Sequence, residues 1–223
     1  MNSNRPSDIT LKEARAGADG HLLRAYRAGS WIRRAARLPE SDLDGRFIFS
    51  WIAFNALYGQ ARYRQRRDAS GPDQARAPSA SEHREIATFL SWVARADAAG
   101  VLARAVARMK STPGELLADP FLDDRNWEKW DGEGRVAKPD REQAVIWKSE
   151  SGTVLQRLFL RLYVLRKQIF HGCSTDGGKR NRDSLRRAVL ILEGTVPLFR
   201  DLVQVHGAGV PFLEKPPYQP SQK

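Results

Sequence analysis

From residue 155 to residue 169 the apolar side chains Leu155, Leu158, Leu162, Leu165 and Ile169 return at steps of three and four. That is the period of one buried face of an α-helix, and a strand cannot satisfy it. A second run, Leu185, Ala188, Val189, Leu192, Val196, Phe199, Leu202 and Val203, keeps the same period after Asn181 or Asp183, either of which can cap a helix. Pro197 within it predicts a kink. Arg46 to Tyr58 is apolar almost all round, which predicts a central helix capped by Asp42 or Asp44. Asn55 is its one polar interruption and calls for an internal hydrogen-bond partner. No segment alternates like a strand and no unit repeats. Helices with single apolar faces must bury them on one another, so the expected fold is an all-α bundle.

The remaining segments set the expected boundaries. Residues 1–41 read as an N-terminal helical extension, Ala/Arg-rich from Ile9 to Leu38 and broken near Gly17 to Gly20 and near Gly29. A helical domain spans 42–206. Within it, 65–81 lacks periodicity and reads as a mobile loop. Ser81 then opens a helix with Glu85 in its capping pattern and a stripe of Ile86, Phe89, Leu90 and Val93. Val101 to Met109 is helical and is stopped by Thr112-Pro113-Gly114. Residues 110–140 form an irregular insertion anchored by Trp127 and Trp130. The helix with the Leu155 stripe runs from Glu142 to His171, with a break around Ser149 to Thr153 and Gly172 as its C-cap. Cys173 to Arg180 is a turn, and 207–223 is a flexible tail.

Composition narrows the functional classes. Hydrophobic residues make up 41% of 223, enough for a real core. Lys and Arg number 37 against 26 Asp and Glu, a formal charge of +11 that favours an anionic partner, nucleic acid ahead of a membrane surface. One cysteine, Cys173, admits no internal disulfide and fits a reducing, cytoplasmic compartment. No run of 18 apolar residues and no signal-peptide core occur, so no membrane partner is expected. His21, His83, His171 and His206 stand apart from one another and from the cysteine in no ligand pattern, so no metal and no other cofactor is expected. Gly177-Gly178-Lys179 lacks the strand and spacing of a phosphate loop. A Cys173 nucleophile activated by His171 would lack an orienting third group.

What remains is Arg166 and His171 at the close of the striped helix. At ~100° per residue Arg166 projects roughly 20° from Leu155, inside the apolar arc. A guanidinium there is costly without a partner, so it must pair with a buried acid or line a polar cleft. Arg166 and His171 diverge by about 140° on an ideal helix. Two helices meeting antiparallel, or a distorted last turn, would bring them together. The competing arrangement pairs Arg166 with an internal acid and leaves His171 at the helix C-terminus, where a cation is favoured.

The stretch Leu162-Tyr163-Val164-Leu165-Arg166-Lys167-Gln168-Ile169-Phe170-His171-Gly172 resembles the signature helix of the HEPN superfamily, an Arg followed after four to six residues by a His. Arg46 to Tyr58 is similar to the aromatic helix of its Apea-like subgroup. Asn181-Arg182-Asp183 with the later Val196-Pro197 matches that subgroup's ending. The likeness spans about Asp42 to Val205 in three patches. It implies a HEPN-like helical bundle with extra helices and long loops, dimerising so that two Arg/His pairs share a cleft. It further implies a metal-independent endoribonuclease of a toxin–antitoxin or antiphage system, or a relative that only binds RNA or a protein partner such as an antitoxin. Arg166 and His171 are then the catalytic candidates, and Lys167, Asn55 and Arg182 the substrate-binding ones. Members with activity commonly carry a polar residue after the Arg, where this chain has Lys167, a donor that cannot accept hydrogen bonds. RNA supplies its own 2′-OH as nucleophile, and a histidine supplies the acid–base group.

Overall fold

A computed structural model describes residues 8–16, 20–59, 78–123, 151–172, 177–178 and 181–214. The described residues are helical with no strand, an all-α bundle as the periodicity requires. In chain order the helices are α1 (Leu11–Ala16), α2 (Gly20–Ala36), α3 (Leu43–Tyr58), α4 (Pro78–Ala96), α5 (Val101–Arg108), α6 (Thr112–Ala118), α7 (Ser151–Phe170), α8 (Arg182–His206) and α9 (Pro211–Glu214). A single 3₁₀ turn, Pro120–Leu122, follows α6.

Helix α3 is the axis of the core. Phe47, Trp51, Ala53, Phe54, Leu57 and Tyr58 are all buried, so it has almost no solvent side. Phe54 meets Phe159 of α7 at 4.5 Å, Phe89 of α4 at 5.9 Å and Phe199 of α8 at 6.1 Å between ring centres. Four helices therefore converge on one ring, in the tilted and edge-on geometries that aromatic quadrupoles favour. Asp42 starts α3, its carboxylate accepting from the Gly45 amide at 2.8 Å. Asp44, the other candidate cap, is occupied elsewhere.

Several sequence expectations are corrected. Ala25 and Ala28 of α2 lie in the core, and α2 packs on both α3 and α8. Gly29 does not break that helix. It sits inside it, beside Arg200 of α8. Helix α4 starts at Pro78, three residues before Ser81; proline at a first helical position loses nothing, because that N–H has no intrahelical partner. Thr112-Pro113-Gly114 does stop α5, but it also opens α6 for the same reason, so the insertion begins as helix. As the periodicity predicts, α8 is one helix from Arg182 to His206, with Pro197 inside it. Asn181 occupies the position before α8 in a left-handed conformation (φ 60°) and makes no cap bond. Its amide donates instead to Gln168 Oε1 at 2.9 Å, while Gln168 donates to the Phe121 carbonyl at 2.8 Å. The tail is partly docked, since Leu213 is buried. Residues 60–77, Trp127, Trp130, Glu142 to Glu150 and most of the Cys173 to Arg180 turn lie outside the described residues.

The tie that the sequence does not announce is Arg24. It is wholly buried, and its guanidinium donates to the carbonyls of Ala56, Leu57 and Gly59 at 3.5, 3.1 and 2.7 Å, and to those of Phe212 and Leu213 at 3.2 Å each. The first three belong to the last turn of α3, where carbonyls lack helical partners and the dipole is negative. Burial pulls the Arg24 pKa down to about 10, which still leaves it charged at neutral pH.

Candidate functional site

The striped face of α7 is built as read. Leu155, Leu158, Leu162 and Leu165 are buried, and Ile169 packs against them at the edge of the core. Helix α7 lies antiparallel to α4: Gln156 donates to Ser91 Oγ at 2.7 Å, and Tyr163, two turns on, donates to Glu82 at 3.0 Å. Gly172 ends the helix with φ 71°, a left-handed conformation that fits its predicted C-cap role. Nothing crowds its α-carbon, so Gly172→Ala should cost only the backbone strain, about 1 kcal/mol. Thermal unfolding should then shift down by about 2–4 °C.

Arg166 is half-buried on this helix. Its guanidinium carbon lies 5.8 Å from the centre of the Tyr163 ring and 5.1 Å from that of Phe170. Among the described residues no acid forms an ion pair with it, and its Nε is buried without a hydrogen-bond partner. Among the described residues, then, no internal carboxylate locks onto Arg166. Lys167, the neighbouring cation, stands 5.3 Å from the same Tyr163 ring. Both cations lie within one turn of Tyr163, at the three- and four-residue steps that place side chains side by side.

His171 is exposed. Its amide donates to the Lys167 carbonyl at 3.0 Å, so the backbone keeps helical geometry up to His171. On such a helix positions 166 and 171 project about 140° apart.

Arg182 and Asn55 are not gathered around Arg166. The guanidinium of Arg182 bonds both oxygens of Asp44, at 2.7 and 2.5 Å, tying the start of α8 to the start of α3. Both bonds come from its Nη2. Asn55 is half-buried, not buried, and among the described residues no partner bonds its side chain.

Three side chains that the sequence reading did not place at the site, Glu82, Tyr58 and His83, are grouped with Tyr163. The Glu82 carboxylate accepts from Tyr58 at 3.1 Å and from Tyr163 at 3.0 Å, one phenol on each oxygen. Burial, with the adjoining Glu82 charge, raises the Tyr58 pKa well above its ordinary value, while the Arg166 charge opposes that rise. His83 presents its ring edge-on to Tyr163, 4.7 Å between centres, with its Nε2 buried and unpartnered. The only available hint was Tyr163, one turn before the Arg on the same helix.

Among the described residues no three His, Cys, Asp or Glu side chains lie close enough to share a metal ion. No single described helix is long and apolar enough to cross a membrane. Comparison with protein-family models, with curated proteins and with solved structures returns no match, and nothing in it bears on membership of the HEPN superfamily.

Proposed function

We propose that this chain is a metal-independent RNA endonuclease, with Arg166 as the phosphate ligand and His171 as the acid–base group. The observation that supports this reading is how Arg166 is held. An aromatic face attracts a guanidinium through its quadrupole and takes none of its N–H donors. A carboxylate would take two. Arg166 is thus ordered by Tyr163 and Phe170 without being neutralised by an acid, which is what recognition of a phosphodiester requires. The +11 charge supplies long-range attraction to the same class of ligand.

In the proposed reaction the RNA 2′-oxygen bonds to phosphorus as the bond from phosphorus to the 5′-oxygen breaks. The 2′-OH proton leaves to a base, and the departing 5′-oxygen gains a proton, giving a 2′,3′-cyclic phosphate and a 5′-OH end. Arg166 balances charge building on the phosphate oxygens. His171 moves a proton at one of the two oxygens. Because the two side chains diverge along one helix, His171 serves the Arg166 of a second copy lying antiparallel, in a two-fold dimer. A toxin or antiphage role, in the cytoplasm and under control of an antitoxin or another protein, belongs to the same reading.

RNA incubated with the protein in EDTA is expected to be cut to products with these ends, with DNA of the same sequence left intact. Activity abolished by the chelator, or DNA cut equally well, would sink the proposal. The second reading is an RNA- or partner-binding module without catalysis. It is favoured by Lys167, a cation where a hydrogen-bond acceptor would assist chemistry. Salt-dependent RNA binding with no product at any time would select it.

A further inference from the structure

Both motif cations stand at one ring, so whatever fixes that ring fixes them. Tyr163 is 3% exposed, and its ring is bounded by Trp51 at 6.3 Å and by the edge of His83 at 4.7 Å. Those contacts confine the ring without settling its rotation or the position of its tip. The hydroxyl does that, through its 3.0 Å bond to Glu82 Oε2. Glu82 is itself held from the other side by Tyr58, which donates to Oε1 at 3.1 Å. The half-buried carboxylate thus accepts one phenol on each oxygen and bridges the two rings. It forms no ion pair with Arg166.

We infer that Glu82 is a positioning residue for Arg166 and Lys167, acting through Tyr163: the carboxylate bridging Tyr58 and Tyr163 sets the aromatic platform on which both cations are held. The inference rests on the proposed phosphate-binding role of those cations for its consequence in catalysis, but its geometric content is independent of that role. Glu82 need not touch substrate. Its carboxylate meets the hydroxyl at the tip of the ring, whereas the two cations lie 5.8 and 5.3 Å from the ring centre, so removing the carboxylate would loosen the ring without removing either cation's donors.

The measurement is the Nε–H resonance of Arg166 in nitrogen-correlated spectra of the full chain, assigned by its loss in Arg166→Lys. Ring currents from Tyr163 and Phe170 should displace it from the position of a solvated arginine. Glu82→Gln keeps size and shape but cannot accept from both phenols, and Tyr163→Phe keeps the ring but removes the tether. In both variants the resonance is expected to move toward the solvated position. RNA cleavage should fall about 10- to 100-fold in kcat, the scale of a small misplacement of a catalytic group. If the resonance moves and cleavage does not change, the positioning role stands and the nuclease reading fails. If the resonance stays put in both folded variants, the inference is overturned whatever cleavage does. Should Glu82→Gln fail to fold, Tyr163→Phe decides alone.

Discussion

Replacing His171 with alanine is expected to lower RNA cleavage by about 10²- to 10⁴-fold, the usual contribution of a positioned acid–base group. The fold should survive the change, because His171 is exposed just beyond the end of α7. Arg166→Ala should be at least as damaging to cleavage and should also weaken RNA binding, since it removes the phosphate ligand itself. The two variants together carry a sharper outcome. Co-expressed in equal amounts, they form mixed dimers in half of the population. Each mixed dimer holds one complete pairing, Arg166 from one copy and His171 from the other. About a quarter of the native activity should therefore return if the site is shared across a two-fold axis. No recovery would mean that each chain works alone and would overturn the shared site. Full activity of His171→Ala would end the ribonuclease reading outright.

The second large effect concerns folding. Arg24→Met is expected to destabilise the protein by about 3–5 kcal/mol, because breaking a buried charged network strands its remaining members. Here five carbonyls lose their donor at once, three of them at the C-terminal turn of α3 and two at α9. At the scale usual for a chain of this length the thermal midpoint should fall by about 10 °C or more. Arg24→Lys should recover only part of the loss, since an ammonium has three donors on one atom and cannot span carbonyls spread around a planar fork. A midpoint unchanged in Arg24→Met would show that water replaces the guanidinium at no cost.

The stripes on α7 and α8, the buried α3, the Asp42 cap and the Gly172 terminus were legible because each is a local matter. Period, capping oxygen and left-handed glycine are written within a few residues of where they act. The failures share the opposite character. Gly29 looked like a breaker, yet the packing of α2 against α8 outweighs the roughly 1 kcal/mol helical penalty of a glycine. Thr112-Pro113-Gly114 can end one helix or begin another, and the burial of Pro113, Leu116 and Leu117 chose both. Arg24 looked like one more arginine in an Arg-rich helix. Its importance comes from Gly59 and Leu213, which approach it only in the folded chain. The candidate site divides the same way. Arg166, Lys167 and His171 are one helical segment and were found together, whereas Glu82 and Tyr58 reach Tyr163 from two other helices. Arg182 matched a sequence pattern and is already occupied by Asp44.

The stretch between Gly59 and Pro78 leaves α3 and returns to α4 at two points that are fastened separately. Gly59 is bonded to Arg24 on one side, and Glu82 is bonded to Tyr58 on the other. Both bonds are made by residues of α2, α3 and α4 alone. The end of α3 and the start of α4 thus each have an anchor of their own within the bundle, the first on a buried guanidinium and the second on a phenol.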